Sequence, residues 1–133
     1  MAVRGWVLDN SVAARKDDAV VRRNLSELVG ALHVCPVGEL EQLYSARSSR
    51  EYDQHKKILH DTFLVVPAPG DIFDRALQLQ QDLAQHHGLW HRIPIPDLLI
   101  AETALFHGLG VVHIDGDFDR IAEVRPLVVR RLR

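Results

Sequence analysis

The chain has 133 residues, enough for one domain that buries most of the surface its unfolded form exposes. Apolar residues at 47% and charged residues at 26% exclude a disordered chain, and a formal charge of −2 excludes nucleic-acid binding by bulk charge, though not a local basic rim. A single cysteine, Cys35, excludes an internal disulfide, no apolar run approaches the roughly 18 residues of a membrane helix, and Asp9 interrupts any signal-peptide core, so the cytoplasm is the expected setting.

In chain order, GWVLD (Gly5 to Asp9) reads as a first buried strand. Val21, Leu25, Leu28, Val29 and Leu32 recur at helical spacing, with Gly30 near the expected helix end. HVCPV reads as a brief second strand. Pro36 then opens a helix through GELEQLYSAR, since proline suits a first helical turn. Its apolar stripe is Val37, Leu40, Leu43 and Tyr44. SSRE, from Ser48 to Glu51, has capping-box spacing and starts a helix containing Tyr52, Ile58 and Leu59.

VVPAPGD reads as a loop. The amphipathic helix after it places Phe73, Ala76, Leu77, Leu83 and Ala84 on one side and ends near Gly88. In RIPIPDLLIAETALFHG, prolines enforce an extended entry to a helix starting near Pro96 and Asp97. Ile100, Ala101, Ala104 and Gly108 share the Asp97 face, and so many small residues let a helix lie close against a sheet. The strand VVHI, a short helix from FDRIAEV and a last strand PLVVR complete the chain. Strands alternating with helices predict an α/β fold: a three-layer α/β/α sandwich on a mainly parallel sheet, with residues 1–133 as one domain.

The chemistry concentrates in VVHIDGDFDRIAEV, residues 111–124, where a strand leaves the core into Asp115, Asp117 and Asp119. In open α/β sheets, ligands bind at the carboxyl ends of the strands. Asp9 ends the first strand, Asp115 the strand after the Asp97 helix, and Asp97 itself sits at a helix start. Carboxylates gathered on one rim repel each other unless a cation neutralises them. Oxygen donors without clustered histidine or cysteine favour Mg²⁺ or Mn²⁺, which can activate water for in-line attack on a phosphodiester.

Other readings of these aspartates are weaker. A calcium loop needs glycine at its sixth position and glutamate at its twelfth, where this chain has Arg120 and Pro126. Asp9-Asn10-Ser11 lacks the second aspartate of an aspartyl-phosphate phosphatase, and no lysine lies late enough for a receiver domain. Asp119 reads as a solvated first-turn residue. Glu39 and Glu41 offer further acids on the Pro36 helix, and wheel arithmetic leaves the choice between them close.

Taken together, LDNSVAAR, CPVGELEQLYSAR and IPIPDLLIAETALFHGLGVVHIDGDFDRIAEV resemble a PIN domain of the VapC toxin type, over nearly the whole chain and in the same order. The resemblance implies a Mg²⁺-dependent endoribonuclease (Mn²⁺ as substitute), the toxin of a type II toxin–antitoxin system. It further implies neutralisation by a VapB-like antitoxin and a homodimer. The family's acids fall on Asp9, Glu41 (Glu39 in reserve), Asp97, Asp115 and Asp117, and its small hydroxyl residue falls on Ser11. Asp9, Asp97, Asp115 and Asp117 are then the implied metal ligands, with Ser11 in support.

Three positions depart from the pattern: Asn10 for a common threonine, Gly116 for a basic residue and Glu102 for a small one. Two alternatives stay in view. A degenerate PIN module that binds RNA or protein without cutting is disfavoured by the intact acids. A PIN or flap-type nuclease on another nucleic acid is disfavoured by the small chain.

Among the remaining residues, His86, His87 and His91 with Arg92 read as exposed polar groups, a zinc site being hindered by Gly88. His113 reads as a core or border histidine. Arg125, Arg130, Arg131 and Arg133 form either a basic patch for RNA or antitoxin or a solvated tail. Tyr44, Tyr52 and Ile58 fall where the family typically has its antitoxin groove near the dimer contact, although amphipathic helices also bury such residues within a monomer.

Overall fold

The computed structural model of the chain describes residues 3–133 other than Lys16, Val29, Gly88 and Asp115, and for His87, Leu89 and Trp90 the backbone alone. The expected strand-end acid Asp115 and helix-ending Gly88 therefore lie outside the described residues. Five strands, β1 (Gly5–Leu8), β2 (Ala31–Val34), β3 (Leu64–Val65), β4 (Gly110–His113) and β5 (Val129–Arg131), form one sheet in the order β3-β2-β1-β4-β5. Every pairing is parallel. β1 and β4 are buried along their whole length, as central parallel strands covered on both faces must be.

Side chains alternate between the two faces with the strand period of two. Val7 and Val111 point into one core, with Leu79, Leu83, Leu98, Ile100, Ala104, Phe118 and Ile121. Trp6, Leu8 and Val112 point into the other, with Val12, Val21 and Leu132. The helices divide accordingly, which makes the fold three-layered. α1 (Asn10–Ala13) and α2 (Ala19–Ser26) cover the second face. α5 (Ile72–His87), α6 (Ile95–His107) and α7 (Asp117–Ile121) cover the first, joined by Val37 of α3 (Pro36–Tyr44). α4 (Ser49–Thr62) packs on α3. No helix of the described residues is long and apolar enough to cross a membrane.

Local chemistry fixes several boundaries. Ser48 caps α4 by accepting the Glu51 N–H at 3.1 Å, as the capping-box spacing predicts. Gly108 ends α6 in the left-handed region, at φ +68°, where glycine carries no steric cost. A Cβ at Gly110 would lie 2.6 Å from the Trp6 ring and 2.9 Å from the Val128 carbonyl oxygen, so the close contact at the start of β4 requires glycine.

Other expectations are corrected. α2 stops at Ser26, and Leu32 belongs to β2, where the strand pairing with β1 overrides its helical spacing from Leu28. Cys35 is the N-cap of α3 and Val37 is helical, so HVCPV is strand only through Val34. The final strand is Val129–Arg131 rather than PLVVR. Leu64 and Val65 form the short edge strand β3, so VVPAPGD is not loop throughout. α5 buries Ile72, Ala76, Leu79 and Leu83, while Phe73 and Leu77 stand 70% and 64% exposed. On α3, Leu43 is buried but Leu40 and Tyr44 face outward.

Candidate active site

The sheet order reverses at β1. From it the chain winds outward through β2 to β3, then returns to lay β4 against its other side. The crevice beyond the carboxyl ends of β1 and β4 is therefore the switch point at which such sheets bind ligands. Asp9 follows the last residue of β1 and continues the ladder, its N–H donating to the Val112 carbonyl at 3.1 Å. Asp9 is buried and caps α1. Its Oδ2 accepts from the Ser11 N–H at 3.2 Å and from the Ser11 hydroxyl at 2.5 Å. The same hydroxyl oxygen accepts the Ile114 N–H at 3.3 Å. Ser11 thus pins the first-strand carboxylate to the backbone beyond β4.

α6 brings the next acid. Gly108 and Leu109 alone connect α6 to β4, so the helix runs back antiparallel to the strand. Its first turn, with Asp97, then lies toward the carboxyl edge of the sheet. Asp97 is buried, and its N–H donates to the Pro94 carbonyl at 3.0 Å. Asp117 opens α7 half-buried, with Arg120 3.9 Å away one turn on.

The two glutamates of α3 separate by their partners. Glu39 Oε1 is hydrogen-bonded to the Nε2 of His60 of α4, across 21 residues of sequence. Glu41 has no such contact among the described residues: its Oε1 is buried without a hydrogen-bond partner there. Burial, with the Asp9 charge beside it, pushes the Glu41 carboxyl above the usual glutamate range. Asp9, Ser11 and Glu41 are therefore brought together, and Glu39 is turned to another task. Among the described residues, no group of three or more acidic, histidine or cysteine side chains closes around one point. The donors present nevertheless suit a hard divalent cation, because a buried carboxylate oxygen with no donor facing it and a second carboxylate nearby both gain from positive charge.

Asp119 lies in the first turn of α7 and is exposed, as expected, with two weak ion-pair contacts. Its two oxygens lie 3.5 Å from Nε2 of the fully buried His113 and 3.9 Å from Arg131. Of the C-terminal arginines, Arg133 pairs with Asp18 at 2.6 Å and Arg125 with Asp82 at 2.8 Å and Glu102 at 3.4 Å, while Arg130 and Arg131 stand exposed on β5. His86 lies 3.7 Å from Glu123. Gln42 was not selectable from sequence; its amide nitrogen is buried beside Glu41 with no hydrogen-bond partner among the described residues. Its one signal is that adjacency. A groove of about 470 Å³ runs along these residues, lined by Asn10, Glu41, Gln42, Tyr44, His55 and Ile58 among others.

Comparison with known proteins agrees with this geometry. The family model described as PIN domain matches residues 6–124. Ribonuclease VapC17 of Mycobacterium tuberculosis is 50% identical over 121 residues, 91% of this chain and 90% of that protein. Ribonuclease VapC18 of the same organism is 40% identical over 114 residues, 84% and 81% of the two chains. The fold matches VapBC2 from Rickettsia felis, solved bound to a DNA fragment of its promoter, with a TM-score of 0.76 at 16% identity over 97% of this chain and 99% of that one. With half of the aligned residues shared along nearly the whole of both sequences, the protein belongs to the VapC ribonucleases of the PIN-domain family.

Proposed function

We propose that this chain is the toxin of a type II toxin–antitoxin pair, a Mg²⁺-dependent endoribonuclease that hydrolyses RNA phosphodiester bonds in the cytoplasm. The observation that carries the metal dependence is the partnerless, buried Glu41 oxygen beside Asp9 at the switch point. Asp9, Asp97, Asp115 and Asp117 would hold Mg²⁺, with Mn²⁺ as substitute, and the ion would activate water and stabilise charge on the leaving oxygen. Glu41, with its raised proton affinity, orients the attacking water and takes up its proton. Ser11 is an orienting residue rather than a nucleophile: its hydroxyl proton goes to Asp9 and its oxygen accepts from Ile114.

A VapB-like antitoxin is the proposed inhibitor, in line with the VapBC assembly of the Rickettsia structure. A homodimer is the proposed resting form, because Leu40, Phe73 and Leu77 leave large apolar side chains exposed on α3 and α5. The deciding experiment is cleavage of labelled total RNA by the chain freed of antitoxin, in Mg²⁺, Mn²⁺ and EDTA, beside Asp97→Asn. Cutting that needs metal and is lost in Asp97→Asn is expected. No cutting in any metal by a folded chain contradicts the reading.

A further inference from the structure

The groove between α1, α3 and α4 holds features that binding of the scissile phosphate leaves unused. Tyr44 ends α3 one turn beyond Glu41 and is 91% exposed, the ring standing in the groove wall rather than in the core. Gln42 lines the same groove, and its amide nitrogen has no hydrogen-bond partner. An amide offers two donors and one acceptor, which matches the edge of a nucleobase. Asn10, next to Asp9, adds a second amide to the lining. Beyond Tyr44, Arg47 and Arg50 have no ion-pair partner among the described residues, unlike Arg125, Arg131 and Arg133. The exposed Tyr44 ring and the unpartnered Gln42 amide nitrogen suit an unstacked base, and Arg47 and Arg50, shortly after Tyr44 in the chain, suit its flanking phosphates. The volume, about 470 Å³, lies within the range of small-ligand sites, roughly 300–1,000 Å³.

We propose that this groove is a base subsite of the ribonuclease: an unpaired base of the RNA stacks on Tyr44 and meets the Gln42 amide, which sets the neighbouring phosphate against the carboxylates. The inference rests on the ribonuclease reading and adds to it two residues, Tyr44 and Gln42, that would select the base beside the cut phosphate. It also implies that any protein segment entering the groove competes with RNA.

The test compares Tyr44→Ala and Tyr44→Phe in two measurements. One is steady-state cleavage of a single-stranded RNA; the other is fluorescence anisotropy of the same labelled RNA with each variant in an Asp97→Asn background, which binds without cutting. Loss of one stacked base predicts that KM and Kd rise about tenfold in Tyr44→Ala while kcat stays near wild type. Tyr44→Phe, which keeps the ring, is expected to restore both. Gln42→Leu is expected to flatten base preference at one position of the sequenced cut sites. Tyr44→Ala that binds and cuts as the wild type does overturns the base subsite alone, and if that variant also loses a VapB-like antitoxin, the groove is a peptide site. A wild-type chain that neither binds nor cuts RNA overturns the ribonuclease reading together with the subsite.

Discussion

Two sets of buried acid flank α6, and they are resolved in opposite ways. In the middle of the helix, Glu102 is buried and its Oε2 makes no hydrogen bond, but that oxygen lies 3.4 Å from the Arg125 guanidinium, which also reaches Asp82 of α5 at 2.8 Å. Around the switch point, Asp9 and Glu41 raise the cost of each other's charge, and the buried Glu41 oxygen meets no donor. The chain thus supplies its own cation to the first set and none to Glu41 in the second. A buried carboxylate is expensive unless something compensates it. An acid left uncompensated in a fold that pairs a comparable one elsewhere gains most from an added positive charge, which is the ground for the divalent cation proposed above.

The largest expected effect comes from breaking the uncompensated set. Asp97→Asn or Asp9→Asn is expected to lower the rate of RNA cleavage by about 10²–10³-fold, the scale for removing one preorganised electrostatic group, as read in single-turnover assays. Thermal unfolding of both variants is expected to stay cooperative. Breaking the compensated set acts on stability instead. Arg125→Ala strands Glu102 in the core and is expected to cost about 3–5 kcal/mol in urea unfolding, with residual cleavage at temperatures where the variant is folded.

A third effect sharpens the contrast. Mg²⁺ at about 100 times its Kd is expected to stabilise the wild type by about 2.7 kcal/mol, and Glu41→Gln, with Kd raised about tenfold, to remove about half of that gain. Without metal, the raised Glu41 proton affinity means the folded state holds its proton more tightly than the unfolded chain. Its contribution to stability is therefore present at low pH and lost as pH rises through and above the ordinary glutamate range. Glu41→Gln is expected to flatten that slope, and Mg²⁺ to offset it in the wild type.

The smallest effect belongs to Glu102. Burial raises its carboxyl pKa more than the nearby Arg125 and Arg75 lower it, so its charge too becomes less favourable as pH rises. Because Arg125 keeps Asp82, Glu102→Gln is expected to be as stable as the wild type at neutral pH or about 1 kcal/mol more stable, in urea titrations run across pH.

Much of this was legible in the sequence because its cause is local. The apolar runs ending at Leu8 and Ile114, Pro36 at a first turn and the Ser48 cap each act within a few residues, and the parallel sandwich follows from their alternation. What was not legible depends on contacts made at long range. Leu32 fits the helical spacing that runs through Leu25, yet its pairing with Trp6 across β1 and β2 decides its state. The α5 face depends on where the sheet lies, which periodicity cannot state; Phe73 and Leu77 fit one apolar stripe as well as Leu79 and Leu83 fit another.

The same holds at the site. Helical spacing left Glu39 and Glu41 nearly equivalent, and His60, on another helix, is what separates them. The pairs of Arg133 with Asp18 and of Arg125 with Asp82 and Glu102 were not legible, because the partners lie far apart in the sequence. Asp9, Ser11 and Asp97 were visible since strand ends and first helical turns announce themselves in sequence.

The central claim, that the switch-point acids form a divalent-cation site with Glu41 as its helix acid, is tested most directly by titrating Mn²⁺ into the purified chain by calorimetry, with Glu41→Gln and Glu39→Gln beside the wild type. The account predicts saturable binding by the wild type and by Glu39→Gln, and binding at least about tenfold weaker in Glu41→Gln, as for loss of one supporting group. Wild-type binding that survives Glu41→Gln unchanged, or no binding at all, would contradict it.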